Sequence, residues 1–396
     1  MRIALLAPLP PEQTGIADYA AHLKKALEAR GVEVMTPLAG CGNDPRDAEA
    51  RIAAFDWREM DLAHGELGGG RLAEFHALRT LRRLQPDMPL SATVHDPERL
   101  VWRRASLPWP LSLVQGLPSP LPQVATVIAD PLCLREERSL AQNLDRLVTL
   151  THTGAGYLSR RMRLPVDRVR VISHGNQRID YVPLPPKEPV RLLYFGFIYR
   201  GKGIEDLLDA VALLLQQRPS LQHSLRLTLA GGSEPETAFA PGGSYLDELR
   251  RRIRSQGLDD LIEWDLDVPA ADIPALIQRH HVMVLPYRES KKLSLLGSMR
   301  GTSGALSWAV ACGRGVITSD ARSFAEEVAS GNGAMYPQGK AEALAEQLAR
   351  LVAEPNLAEQ WGERARVLAT ERAWDVTAER FVKHFETLRE GVPHVA

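Results

Sequence analysis

The chain has 396 residues, 44% hydrophobic and 24% charged, with a formal net charge of −1 at pH 7. This is an ordinary globular composition with length for two domains, each able to bury a core, and the near-neutral charge gives no footprint for nucleic acid. Three cysteines, Cys41, Cys133 and Cys312, are odd in number and far apart, which argues against a disulfide framework or a CxxC metal site and fits a reducing compartment.

The first apolar run, residues 3–7, is too short for a signal sequence or a membrane span and reads as a buried strand. Residues 18–30 place Tyr19, Leu23, Ala26 and Leu27 at helical spacing. Strands are expected at 32–35, 90–94, 124–128, 147–150 and 169–172, with a helix at 154–162. Strands alternating with helices point to a parallel sheet covered on both faces. Residues 107–122, LPWPLSLVQGLPSPLP, hold five prolines in sixteen positions, so a long loop carrying Trp109 is expected after Arg99, Arg103 and Arg104. Residues 183–189, PLPPKEP, lack apolar periodicity and read as an interdomain linker.

The second half restarts the alternation. Strands are expected at 191–195, 225–230, 262–264, 282–285 and 315–318, and helices at 204–215, 246–256, 273–279, 305–311, 341–353 and 377–389.

Four places carry candidate chemistry. Gly196-Phe-Ile-Tyr-Arg-Gly-Lys202-Gly203 follows a strand and opens a helix. Its glycines let backbone N–H groups approach an anion, the helix N-terminus adds its dipole, and Lys202 and Arg200 add charge. The spacing nearly matches a Walker A loop, but Gly203 stands where a hydroxyl should ligate Mg²⁺, which weakens a P-loop reading. Residues 297–306, GSMRGTSGAL, open another helix, at which Thr302 or Ser303 can cap the backbone or bind phosphate. Gly15 and Ile16 lie in a glycine-bearing loop after the first strand. His95 and Asp96 end the strand at 90–94, where they serve either as catalytic groups or as a turn and cap before Pro97. Glu66–Gly70 after His64 reads as a glycine loop, contacting a ligand or merely crossing between elements. Asp265-Leu-Asp267 reads as a solvated turn and His280-His281 as a helix end, so neither is taken as a metal site.

Taken together, PLPPEQTGIADYAAHL, TVHDP, RVRVISHGN, RLLYFGFIYRGKGIEDLLDAVALL, LRLTLAGG, VMVLPYR and SGALSWAVACGRGVITSD resemble a retaining glycosyltransferase of the GT4 group with the GT-B fold. The resemblance implies an α/β chain of two facing Rossmann-like domains with parallel sheets, residues 1–182 and 190–370. It also implies a final helix, 371–390, crossing back to the first domain. The first domain would bind the acceptor and the second a nucleotide sugar. Lys202, with Arg200, would neutralise the diphosphate leaving group, and Gly196, Thr302, Ser303 and Gly304 would line the donor. Gly15 and Ile16 would lie beside the diphosphate and His95 near the donor sugar. Where the family carries two glutamates eight positions apart, this sequence has Arg300 and Trp308, and Glu289 is a candidate substitute.

The activity so implied is metal-independent transfer from a UDP- or GDP-sugar, without a cofactor, to a glycan or lipid-linked acceptor in cell-surface polysaccharide assembly. A non-catalytic scaffold of the same fold is the alternative. Glu66, Asp96, Arg103 and Trp109 are acceptor-side candidates. A cytoplasmic location is expected. The arginines and apolar residues from Arg99 to Leu113 suit either peripheral contact with an anionic membrane surface or packing over the first domain's core.

Overall fold

The computed structural model describes residues 1–102, 107, 109–114, 116–118, 120–232, 245–289 and 296–390. The chain divides into two units. The first comprises Met1–Gly175, Lys291–Thr302 and Trp374–Ala396, and the second Asn176–Ser290 and Ser303–Ala373.

In the first unit the order is β1 (Arg2–Leu6), α1 (Gly15–Glu28), β2 (Glu33–Met35), α2 (Pro45–Ala54), β3 (Leu62–Leu67), α3 (Leu72–Leu84) and β4 (Leu90–Val94). A 3₁₀ turn, Leu111–Val114, leads to α4 (Leu121–Asn143), β5 (Arg146–Thr149), α5 (His152–Met162) and β6 (Val169–Val171). The six strands form one parallel sheet in the order β2-β1-β3-β4-β5-β6. Successive side chains of a strand point to opposite faces. Accordingly Ile3 and Leu5 join one core cluster with Tyr19 and Leu23 of α1, while Ala4 and Leu6 join another with Phe75, Leu78 and Leu81 of α3.

The second unit runs β7 (Val190–Phe195), α6 (Ile204–Gln217), β8 (Leu225–Gly231), α7 (Tyr245–Ser255), β9 (Ile262–Leu266), α8 (Ile273–Gln278), β10 (Val282–Leu285), α9 (Gly304–Ala311) and β11 (Gly315–Ser319). It continues with α10 (Phe324–Val328), β12 (Gly333–Tyr336), α11 (Ala341–Ala353) and α12 (Leu357–Glu371). Its parallel sheet has the order β12-β11-β10-β7-β8-β9. This is the doubly wound order, with the direction of winding reversing between β7 and β10.

The last helix, α13 (Trp374–Glu390), returns to the first unit. Ala378, Phe381, Phe385 and Leu388 are buried beside Ile3, Leu5, Tyr19 and Leu23. Each of the larger side chains contributes about 1.5–3 kcal/mol of burial.

Two expectations are corrected. Residues 124–128 are not a strand but part of α4. VATVI is rich in β-branched residues, yet Ala125, Ala129 and Cys133 are buried at four-residue spacing. The strand that completes the sheet is β3, LAHGEL, whose buried His64 and Glu66 hide its apolar pattern. Glu66 and Leu67 therefore belong to this strand, and the glycine loop begins at Gly68. The sequence reading also omitted α2, α3, α10, β12 and α12.

Two buried histidines give the fold an acid sensitivity. In the second unit, His280 Nδ1 lies 2.7 Å from the Leu276 carbonyl and must donate to it, so Nε2 accepts from the Thr228 hydroxyl at 2.7 Å. Burial lowers His280 to about 4 and His384 of α13 to about 3. Unfolding lets both take protons near the ordinary value of about 6.5. Their stabilising neutrality is complete above that value and is lost as pH falls from there toward their folded values. Thermal unfolding followed from pH 8 to pH 4 should show stability falling below about pH 6.5. His384→Gln should flatten that decline by up to about 1.4 kcal/mol per pH unit.

Candidate functional site

In the second unit, the loops after β7 and β10 meet at the point where the sheet's winding reverses, a usual ligand position in open α/β sheets. Gly196 turns the chain at φ +138°, and a Cβ there would come within 3.9 Å of Ala305 Cβ in the first turn of α9. Gly203, at φ +68°, lies so close to β10's loop that a Cβ would stand 1.8 Å from the Pro286 carbonyl oxygen. Only glycine permits that approach. The Arg288 N–H donates to the Gly201 carbonyl at 3.1 Å and ties the two loops together.

Tyr287 is buried beneath this junction. Lys202 Nζ lies 3.8 Å from its ring centroid and 5.1 Å from that of Tyr199. The Tyr287 hydroxyl is 3.0 Å from Ser303 Oγ. Burial pushes the Tyr287 phenol up despite that bond, so it stays a neutral hydrogen-bonding group.

The two helix N-termini differ. The first turn of α6 holds Glu205 and Asp206, and Asp206 makes a two-pronged ion pair with Arg288. Burial raises the Asp206 carboxyl and Arg288 opposes that rise. The first turn of α9 holds no acid, and Ser303, its N-cap, makes no capping bond because its hydroxyl turns to Tyr287. The positive end of α9 is thus uncompensated by any acid of its own, with exposed Gly304 at its first position.

The other candidates of this unit are placed as follows. Arg200 turns to Glu248 of α7 in a two-pronged ion pair and lies 5.3 Å from the Tyr245 ring. Glu289 accepts from the Arg322 N–H at 2.9 Å and donates its own N–H to Gln338 Oε1 at 2.8 Å. Trp308 is half-buried against the unit's core.

The first unit gathers a second set. Gly15 opens α1, with Thr14 accepting from the Ala17 N–H at 3.1 Å. Ile16 reaches the loop after β3, where its Cδ1 would lie 2.9 Å from a Cβ on Gly68. His95 Nε2 is 2.7 Å from Glu66 Oε2, and Tyr19 meets the imidazole edge-on at 4.7 Å. Since a carboxylate only accepts, Nε2 carries a proton and donates it to Glu66, and Nδ1 is the ring's other polar atom. His64 lies behind, 3.5 Å from Glu66 Oε1 and within 2.7 and 2.8 Å of Ser91 Oγ and Thr93 Oγ1. Burial alone would raise the Glu66 carboxyl, but hydrogen bonds from His64 and His95 outweigh it and hold the group below its ordinary value.

Asp96 accepts from the Gly69 N–H at 3.0 Å. Gly301 is pinned because a Cβ would meet the His95 carbonyl oxygen at 2.1 Å. Thr302 follows it, half-buried. Arg300 belongs to the first unit by its contacts, lying 4.3 Å from the Tyr157 ring and 3.6 Å from Glu98. Trp109 is 82% exposed, whereas Arg103 and Arg104 lie outside the described residues. Arg99 and Trp102 are buried, Arg99 against Glu137 at 2.6 Å, so neither faces a membrane, and that part of the expectation is corrected.

Sequence reasoning named His95 and Glu66 but missed the bond between them, and it missed Tyr287, Arg288 and Asp206 as site members. Pro286-Tyr287-Arg288 directly after an aliphatic strand was the available signal.

Residues 176–368 match the family described as Glycosyl transferases group 1. A D-inositol 3-phosphate glycosyltransferase of Streptomyces scabiei is 26% identical over 255 residues, covering 61% of this chain and 54% of that protein. One of Streptomyces griseus is 28% identical over 195 residues, covering 49% and 38%. The chain thus spans about half the length, or less, of these curated relatives. Among solved structures, sucrose-phosphate synthase from Thermosynechococcus elongatus superposes with a TM-score of 0.71 at 18% identity, covering 98% of this chain and 99% of that one. Anabaena HepE in complex with UDP gives 0.67 at 16%, covering 98% and 100%. The chain has the GT-B fold that the sequence resemblance implied, and its second half is similar to group 1 glycosyl transferases.

The buried Glu66 pair yields a pH-dependent prediction. Because its folded value is lowered, the carboxylate's stabilisation is present above its unfolded value of about 4.3 and is lost as pH falls through the folded value. Glu66→Gln should cost on the order of 3 kcal/mol at pH 7. Thermal melts should show the gap to the parent protein narrowing below about pH 4.

Proposed function

We propose, from the group 1 glycosyl transferase match over residues 176–368 and the GT-B fold around it, that this chain transfers a sugar from a nucleotide-diphosphate sugar to a hydroxyl of a glycan or glycolipid acceptor. The observation that carries this reading is the acid-free N-terminus of α9 beside the Gly196–Gly203 loop and Lys202. A diphosphate fits such a place. Backbone N–H groups of a glycine turn and a helix end donate to its oxygens, and a lysine supplies a full charge.

In the reaction, the acceptor hydroxyl oxygen bonds to the anomeric carbon as that carbon's bond to the diphosphate oxygen breaks. The hydroxyl proton leaves with the diphosphate. With retention, as the GT4 likeness suggests, the new bond forms on the face the leaving group vacates. Lys202 and the first turn of α9 stabilise charge developing on the departing diphosphate, the task a metal performs in other transferases. Gly15, Ile16, Thr302 and Ser303 complete the donor contacts in this reading. Arg200 joins them on release from Glu248.

The Glu66–His95 pair is assigned to the reacting sugar, with His95 Nδ1 hydrogen-bonded to a sugar hydroxyl. Arg300 and Trp308 occupy the positions of the family's two glutamates, so Glu289 is assigned to the sugar end of the donor. The names of the relatives support a phosphorylated polyol or sugar as one acceptor class, alongside cell-surface glycan. The replacement of both glutamates also favours a second reading, a non-catalytic scaffold of a polysaccharide synthesis complex.

Calorimetric titration with UDP, GDP and their glucose and mannose derivatives tests the donor assignment. At least one should bind, and Lys202→Ala should weaken it roughly 10- to 100-fold, the loss of a charged phosphate contact. Absence of binding by every nucleotide would refute it. Turnover by the isolated chain with a phosphorylated acceptor separates the enzyme from the scaffold.

A further inference from the structure

Residues 105–129 hold no Asp, Glu, Lys, Arg or His. Such a stretch would ordinarily sit inside a protein, yet several of its described residues are exposed. Trp109 is 82% and Leu113 74% exposed. On α4, Leu121, Val124, Ile128 and Leu132 are each at least half exposed. Their spacing of three, four and four places them along one face of the helix. The adjacent flank, Ala125, Ala129 and Cys133, packs inward with Leu107. Apolar ridges of this kind on a water-facing surface mark an interaction site.

The charges at the end of the ridge identify the partner. Arg135 follows Leu132 by one helical turn and is exposed. Arg138 comes one turn later, with its side chain on the Arg161 carbonyl at 2.9 Å. Partial burial and the neighbouring Arg163, Arg161 and Arg99 lower its affinity for a proton, the sign of a local surplus of cations. The acids of the same stretch are turned away or paired. Glu137 is buried on Arg99, Asp130 pairs with Arg99 and Arg161, and Glu136 lies 3.9 Å from Arg79. An uncharged ridge with an exposed tryptophan ahead of it and arginines behind it matches an anionic bilayer in both polarity and charge.

We propose that Trp109, Leu113 and the Leu121–Leu132 face of α4 dock this chain onto an anionic lipid surface, with Arg135, Arg138 and Arg163 meeting lipid phosphates. The inference deepens the transferase reading, since a lipid-linked acceptor presents its hydroxyl at such a surface. Its test reads lipid binding alone.

The full chain, without nucleotide, is sedimented with vesicles of phosphatidylglycerol and phosphatidylcholine, and with vesicles of phosphatidylcholine only. It should partition onto the anionic vesicles and less so as salt is raised. Ile128→Glu with Leu132→Glu should lower partitioning at least tenfold. Arg135→Glu with Arg163→Glu should abolish the preference for anionic lipid. These side chains are exposed, and unchanged circular dichroism checks that the variants fold. The proposal is overturned if the parent chain stays in the supernatant, or if the glutamate ridge variant binds as well as the parent. It is equally overturned if ultracentrifugation shows a dimer that the ridge variant dissociates, which would make the occupant a second copy. Failure of nucleotide binding would leave the lipid result standing.

Discussion

The second unit's candidate site depends on one close approach, the backbone of Gly203 against the carbonyl of Pro286. Any side chain at 203 would separate the loop after β7 from the loop after β10. That separation would carry Lys202 off Tyr287, the Arg288 N–H off the Gly201 carbonyl, and the Arg288 guanidinium off Asp206. The same residue thus closes a helix N-terminus, joins two strand ends and sets the position of a cation. The P-loop comparison treated Gly203 as a missing hydroxyl, whereas the structure makes it a steric requirement.

The first unit depends on a different constraint. His64, Glu66, Ser91 and Thr93 are fully buried on adjacent strands β3 and β4, where an aliphatic core would be the ordinary choice. A buried carboxylate costs a great deal unless it is paired, and here His95 bonds one oxygen while the His64 ring stands 3.5 Å from the other. The result is a rigid polar column that ends at His95. It fixes which ring nitrogen donates to Glu66 and turns the other nitrogen elsewhere.

What the sequence made legible follows from these two arrangements. Strands β1 and β10 were readable because parallel strands covered on both faces run nearly continuously in aliphatic residues, here RIALL and VMVL. The glycine turn at Gly196–Gly203 was readable because its strand and helix are strongly patterned. Strand β3 was not, because its polar residues serve partners that lie distant in sequence. Helix α4 was misread because propensity favoured strand in VATVI while packing against Leu107 selected the helix. Arg200 illustrates the limit for sites. Its charge is evident from sequence, but the ion pair with Glu248, 48 positions away, is not. The charge of Arg300 is likewise evident from sequence, but its neighbours Tyr157 and Glu98 are not.

The return of α13 has a consequence for how the chain is made. Phe381, Phe385 and Leu388 complete the core layer over β1 and α1, and Trp374 fills the space against Gly175, where a Cβ would come within 2.3 Å of its ring. Of the two units, the one whose strands are translated earlier is therefore finished later. Its sheet can form early, but one face waits through translation of the whole second unit, whose own residues are all in place by Ala373. During that interval Ile3, Leu5 and Leu23 lack their permanent cover. A stop codon placed just before Trp374 would leave a finished second unit attached to an uncapped first.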